Sequence, residues 1–159
     1  MKKLSLAILT LGLSAVVNAA GYGVIDLEKL VESSQYLKQQ NASLEASIKP
    51  QASKLEQLNK ELAALQKQSQ TQGTNLKQIE TQYQAKMTEF TTLQQSVQSR
   101  VQTTIQNTNK TFETRVKQAA EQLRQENNLD LVLNKNAALA FDSKYDLTAK
   151  MIQKVNAIK

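Results

Sequence analysis

The sequence lacks the residues on which most enzyme chemistry depends. It contains no histidine and no cysteine, which removes the usual general base near pH 7, thiol nucleophiles and nearly all zinc or transition-metal sites. Its four glycines, Gly12, Gly21, Gly23 and Gly73, do not form a glycine-rich phosphate loop, so no motif for ATP-driven work is present. The acidic residues are scattered along predicted helix faces, and we interpret them as solvated flanks. The sequence therefore predicts no enzyme activity, no cofactor and no metal site.

The chain also has little from which to build a compact core. Aromatic residues make up only 4% of the sequence, and the mean hydropathy is -0.46. Without cysteine no disulfide can form, so stability must come from packing or from assembly. These absences predict that the protein is not a compact monomer.

The N-terminus has the pattern of a secretory signal peptide. Lys2 and Lys3 precede an apolar run from position 4 to position 17, and Val17-Asn18-Ala19 follows the small-residue pattern of a cleavage site. We predict a cleaved signal peptide over residues 1–19, with the bond after Ala20 as the alternative cut. An uncleaved anchor is disfavoured because the run of roughly 14 residues is shorter than the ~20 that span a bilayer.

The charge balance is mildly basic, with 20 Lys and Arg against 14 Asp and Glu. Nucleic acid would be the usual partner for such a balance, but export separates this protein from it. Acidic unfolded polypeptides and anionic lipid headgroups remain as partners.

What the sequence has in abundance is heptad spacing. Residues 20–28 contain a short apolar run typical of a base strand, and residues 29–127 carry the pattern of a helical arm. Residues 27–70 are predicted to form one helix, kinked at Pro50, because leucine and isoleucine recur at two heptad positions: Leu27, Ile48, Leu55 and Leu62 at one, and Leu30, Leu37, Leu44, Leu58 and Leu65 at the other.

A second helix is predicted to return antiparallel to the first. Gly73 marks the hairpin tip, and a new seam begins at Leu76. This seam runs in heptads and then shifts at Val101 to an 11-residue spacing that straightens the supercoil; its members are Leu76, Ile79, Tyr83, Phe90, Leu93, Val97, Val101, Ile105, Phe112, Val116 and Leu123. Two such helices make an arm of roughly 70 Å.

The helical pattern ends at Asn127 and Asn128, and residues 128–159 complete the base. Residues 129–133 and 138–142 are predicted strands joined by a hairpin-type turn at residues 134–136. Asp146 is the predicted N-cap of a terminal helix with one apolar face. The predicted fold is mainly α with a small β base (α+β), in the order β-α-α-β-β-α.

This constellation resembles the Skp (OmpH-like) family of periplasmic chaperones over the whole mature chain. The resemblance implies a periplasmic, ATP-independent holdase that binds unfolded outer-membrane proteins in a cavity between helical arms. It is carried by the signal peptide, the helical hairpin and the matching segments, which are residues 17–19, 23–26, 129–133, 136–137, 140–141 and 146–148.

The resemblance further implies a homotrimer whose strands, three per chain, form a shared β body. It assigns an assembly core to Val24, Ile25, Leu131, Val132, Leu133, Ala140 and Phe141, which could equally serve as a core within one chain. No catalytic residue transfers. Peripheral contact with the membrane or with lipopolysaccharide is left open.

Two further interpretations concern the arm. Four lysines near the tip form either a client-contacting patch or a solvated face: Lys60, Lys67, Lys77 and Lys86. The alternative to a chaperone is a structural or adaptor coiled coil of the cell envelope, whose hairpin docks into another complex as a spacer.

Overall fold

The chain forms a long helical hairpin on a small α/β base. The computed structural model describes residues 21–71 and 75–158, so the predicted signal peptide and Gly73 at the predicted tip lie outside the described residues. The elements in chain order are β1 (Tyr22–Ile25), α1 (Leu27–Ser33), α2 (Gln35–Ser69), α3 (Leu76–Glu126), β2 (Leu131–Asn134) and α4 (Thr148–Ala157).

The arm consists of α2 and α3, which pack against each other along their lengths. Their antiparallel direction follows from ion pairs that join Lys54 to Glu89 and Glu61 to Lys86. Pro50 lies inside α2 and does not end it, as the heptad phase predicts. No helix within residues 21–71 and 75–158 has both the length and the apolar character needed to cross a bilayer.

The prediction of one helix over residues 27–70 is wrong at Ser34. This buried residue has extended backbone (φ -70°, ψ 114°), which separates α1 from α2, and its hydroxyl caps α2 by accepting from the Leu37 amide at 3.2 Å. Asn156 of α4 occupies the break: the Gln35 amide donates to its Oδ1 at 2.9 Å, and its Nδ2 donates to the Ser33 carbonyl at 3.3 Å. Partners this distant in sequence cannot be identified from helix periodicity.

The seam of α3 also departs from its prediction at one position. Ile105 is 48% exposed, whereas Thr104 is half-buried and Thr108 is only 8% exposed. The steps from Val97 to Val101, Thr104 and Thr108 are four, three and four residues. This 11-residue repeat therefore selects Thr104, and Ile105 falls beside the seam.

The helix α3 ends where the two asparagines predict. Asn128 adopts a left-handed conformation (φ 50°), which asparagine tolerates better than most residues. The Leu129 amide donates to the Arg124 carbonyl at 2.8 Å, and the Asn128 amide donates to the Gln125 carbonyl at 3.3 Å. This Schellman arrangement satisfies the last carbonyls of the helix and turns the chain into β2.

The base is a two-stranded parallel sheet packed on helices. Tyr22 pairs with Leu131 and Ile25 with Asn134, and the whole arm serves as the crossover that parallel strands need. Beneath the sheet lies the buried core, formed by Ile25, Leu30, Ala119, Leu123, Met151 and Val155.

The predicted third strand over residues 138–142 is absent from the described chain. A 3-10 helix (Lys135–Ala137) replaces the predicted hairpin turn, and a second one (Ser143–Tyr145) follows the extended segment. On the other side of β1, Asp146 forms a bridge to Val24. Within the described residues the sheet contains only β1 and β2, so residues 138–142 lie beside it without joining it as a strand.

The terminal helix begins slightly later than predicted. Leu147 occupies the N-cap position of α4, but the Asp146 Oδ1 still accepts from the Thr148 amide at 2.8 Å. A hydrogen bond with the Thr148 side chain, and secondly the one from the Thr148 amide, hold the pKa of Asp146 below its ordinary value. The predicted apolar face is present, since Met151 and Val155 are fully buried in the base core.

Candidate assembly and binding surfaces

The two faces of the small sheet have different surroundings. Ile25 and Val132 face the helices and the base core. On the outer face, Val24 is covered, whereas Leu131 and Leu133 remain 41% and 37% exposed. Side chains alternate between the two faces of a strand, so this exposure follows from the register in which Val24 lies beside Leu133.

The outer face continues into an exposed apolar surface. A cavity there is lined by strand residues and by the extended segment after β2: Tyr22, Val24, Leu131, Leu133, Ala137, Ala138, Ala140 and Phe141. Leu139, in the same segment, is fully exposed. We define the base patch as Tyr22, Leu131, Leu133 and residues 137–141. The fully exposed Leu139 and the partly exposed leucines of β2 therefore belong to one apolar surface at the base.

The seven residues predicted as assembly core divide between two environments. Val24 and Ile25 are buried within the chain, and Val132 packs against the base core. The other four belong to the base patch: Leu131, Leu133, Ala140 and Phe141. Sequence reasoning did not select Tyr22 and Leu139. Tyr22 could have been identified from the sequence, because it lies two residues before Val24 and therefore on the same face of the strand.

Local contacts hold the base patch in shape. The Tyr22 ring stacks on the Tyr145 ring at 4.3 Å between centroids, with 30° between their planes. The Gly21 amide donates to the Asp130 carboxylate at 3.0 Å, and the Asp130 amide donates back to the Gly21 carbonyl at 2.8 Å. These bonds join the start of β1 to the approach of β2, so the outer face is presented as one surface.

The four predicted tip lysines lie in different settings along the arm. Lys60 pairs with Glu56 on its own helix at 2.7 Å, and Lys86 pairs with Glu61 across the arm at 2.7 Å. Lys67 lies in the last turn of α2, where a cation complements the helix dipole, and Lys77 is exposed in the first turn of α3. Lys60 and Lys86 therefore already have carboxylate partners.

Ion pairs between α2 and α3 lie along one of the two grooves of the distal arm, the part nearer the tip. Lys86 contacts Glu61 at 2.7 Å and Glu89 at 3.7 Å, and Lys54 contacts Glu89 at 3.3 Å. The groove beside them is lined by charged, polar and apolar side chains: Glu61, Ala64, Leu65, Gln68, Gln82, Ala85 and Lys86. We call this side of the arm the ion-paired side.

The pKa shifts of one pair give this side a pH dependence. Hydrogen bonds from Lys86 and Gln57 lower the pKa of Glu61, and the bond to Glu61 raises the pKa of Lys86. A lowered carboxyl pKa stabilises the fold at pH above the ordinary glutamate value, and that contribution is lost as the pH falls through the lowered value. A raised lysine pKa contributes below the ordinary lysine value and is lost as the pH rises through the raised value. The pair therefore stabilises the arm through the neutral range.

Replacing Lys86 with methionine is expected to lower the melting temperature at pH 7 by about 1–3 °C, because Glu61 loses its cross-helix partner. The difference should vanish at an acidic pH below the lowered pKa of Glu61, where that carboxyl group is protonated in both proteins. The matched control is Lys60→Met, whose exposed partner lies on the same helix. Circular dichroism melts at both pH values measure the effect. An equal loss in the two variants, or a Lys86 effect that persists in acid, would contradict it.

The opposite groove of the distal arm is apolar. Leu65, Leu76, Ile79 and Tyr83 line it together with Gln66, Ser69 and Glu80. Ile79 is buried there, whereas Leu76 remains 59% exposed. We call this the apolar side of the arm. The two sides of the arm therefore differ in the side chains that line them.

Comparisons with known proteins bear on the whole of this architecture. The family model described as outer membrane protein (OmpH-like) matches residues 21–155. The chain is similar to a crystal structure of a candidate outer membrane chaperone (OmpH-like) from Caulobacter crescentus CB15, with 20% sequence identity and a TM-score of 0.64. The likeness covers 87% of this chain and 85% of that one, and it shows a shared fold. Curated protein sequences give no significant match.

Proposed function

Because this chain belongs to the OmpH-like family of outer membrane proteins, we propose that it is an ATP-independent periplasmic chaperone that holds unfolded outer-membrane proteins in a cavity between helical arms. The observation that carries the proposal is the combination of a projecting two-helix arm with an uncovered base patch. The arm supplies reach, and the base patch supplies a reason for several copies to come together. Neither feature serves a single chain alone.

Assembly at the base is the first part of the proposal. A two-stranded sheet is marginal in water, and here Leu131, Leu133 and Leu139 remain exposed on and beside it. Residues 138–142 are extended at both ends, with backbone angles typical of a strand at Ala138 and Asp142. In a homotrimer this segment would pair with a neighbouring copy and become the third strand that one chain does not form.

The arms supply the second part. α3 contains 51 residues and therefore spans roughly 75 Å, far more than the base measures. Three such arms projecting from one base would enclose a space in which a client is held by many weak contacts. Effective concentration, rather than one strong site, would retain the client until release. No nucleotide is needed for such a mechanism.

Two measurements on the exported protein test the proposal together. Light scattering coupled to size exclusion should give three times the chain mass. Turbidity should show that the protein suppresses aggregation of a urea-unfolded outer-membrane barrel diluted into buffer, at about one trimer per client. A measured mass equal to that of one chain would contradict the assembly. A trimer that leaves aggregation unchanged would favour the alternative of a structural or adaptor coiled coil in the envelope.

A further inference from the structure

The long helix α3 carries exposed apolar side chains on one flank only. Outside the base, the large exposed apolar residues of α3 are Leu76 (59%), Met87 (36%) and Ile105 (48%), within the described chain. Consecutive residues of an α-helix are rotated by about 100°, so the 11 residues from Leu76 to Met87 leave an offset of about 20°, and the 18 from Met87 to Ile105 leave none. The three side chains therefore share one flank, at intervals of about 16 Å and 27 Å.

This flank is the apolar side of the arm. Leu76 lines the apolar groove with Tyr83, and Met87 and Ile105 extend the same line toward the base. The back of the helix has the opposite character, since its exposed residues include Gln78, Thr92 and Thr103. The ion pairs that join Lys86 to Glu61 and Lys54 to Glu89 lie along the other groove. Charged pairs thus line one side of the arm, and the large exposed apolar side chains of α3 lie on the opposite side.

We propose that the flank marked by Leu76, Met87 and Ile105 is the surface that contacts the client, and that its occupant is an unfolded segment with alternating apolar residues, such as a future transmembrane strand. This inference rests on the proposed chaperone function and assigns residues to it.

The small area of the flank favours an unfolded segment, rather than a second copy of the chain, as its occupant. The three side chains together expose roughly 300 Å², whereas each partner in a standard stable interface buries about 800 Å². A surface so small and so drawn out cannot hold two folded copies together. An extended chain of 9–11 residues spans about 30–36 Å, which reaches from Met87 to Ile105. Its apolar side chains can contact Met87 and Ile105 at the same time, and these contacts are weak enough to allow release.

The test uses the exported protein in three forms. One is the natural chain, and the second carries Leu76→Gln, Met87→Gln and Ile105→Gln. Glutamine suits an exposed helix and abounds on this arm. The third adds Gln78→Leu, Thr92→Met and Thr103→Ile to the second. The same apolar residue types are thereby restored on the back of the helix, at similar positions along its length. Circular dichroism and light scattering first establish helicity and mass for each form.

The expected result is that the triple glutamine form needs roughly tenfold more protein for half-maximal suppression of barrel aggregation, at unchanged mass and helicity. The third form should not regain activity. Should the triple form lose helicity, Ile105→Gln alone carries the test, with a weakening of roughly threefold.

Other outcomes overturn the inference. If the natural chain suppresses aggregation and the triple glutamine form does so equally, the chaperone function stands and this flank is not its surface. Recovery in the third form would show that apolar content matters and its side does not. A change in mass in the triple form would make the flank a contact between copies. A natural chain that fails to suppress aggregation overturns the proposed function, and the inference with it.

Discussion

In the proposed homotrimer, replacing Leu131 and Leu133 together with aspartate is expected to reduce the mass of the protein in solution from three chains to one. Both side chains lie on the outer face of the sheet and are already 41% and 37% exposed in the single chain, so the substitution leaves the base core in place. In an assembled base the same positions would be covered. A carboxylate buried there without a partner costs several kcal/mol, enough to dissociate the copies.

The matched control for this change is Leu76→Asp. Leu76 is more exposed than either strand residue, but it lies at the start of α3, where a carboxylate suits the helix dipole. It should leave the trimer mass unchanged. Leu139→Asp refines the test, because that side chain is fully exposed in the chain and can affect only contacts between copies. Light scattering coupled to size exclusion measures the mass in solution of all three variants. If the double aspartate form kept the natural mass, the base patch would not be the assembly surface.

Truncating Leu123 to alanine is expected to cause the largest loss of stability from a single substitution, about 3 kcal/mol. Leu123 is fully buried where the end of α3 meets Leu30, Met151 and Val155. The truncation leaves a cavity, and the surrounding helices are tied by the sheet and by α4, so the site cannot collapse readily. Urea unfolding followed by circular dichroism, at one fixed chain concentration, measures the change in the free energy of unfolding.

Ile105→Ala is the control for this prediction. It removes a similar side chain from the same helix, but at a position that is 48% exposed, so the change should stay within about 0.5 kcal/mol. A comparable loss at the two positions would mean that the base core is not the main source of stability.

Local patterns in the sequence predicted the arm well. Heptad leucines predicted that α2 is helical and where it ends, although not where it begins. The end of α3 at Asn127 and Asn128 followed from residues that interrupt helices. The break at Ser34 was missed because its hydrogen-bond partner, Asn156, lies 121 residues from Gln35 along the chain. The exposure of Ile105 was missed because an apolar residue was preferred to its neighbour Thr104, which occupies the seam position.

The candidate surfaces were only partly predictable. The sequence identified apolar residues of the base, but it could not tell which would lie within the chain's own core, like Ile25, and which would remain exposed, like Leu131. That depends on the register of two strands separated by the whole arm. The lysines near the tip were visible in the sequence, but the pairing of Lys86 with Glu61 required the two helices to be aligned.

By itself the sequence determined which residue types the chain lacks, that most of the chain is helical, and where the second arm helix ends. These properties depend on residue types and on spacing within a few helical turns, so they can be derived from the order of residues alone. Only the tertiary structure decided that residues 138–142 do not pair, that the outer face of the sheet stays open, and that the cross-helix ion pairs and the exposed apolar side chains of α3 lie on opposite sides of the arm. Each of these depends on segments far apart in sequence meeting in a particular register, and a shift of one residue in that register would expose a different set of side chains.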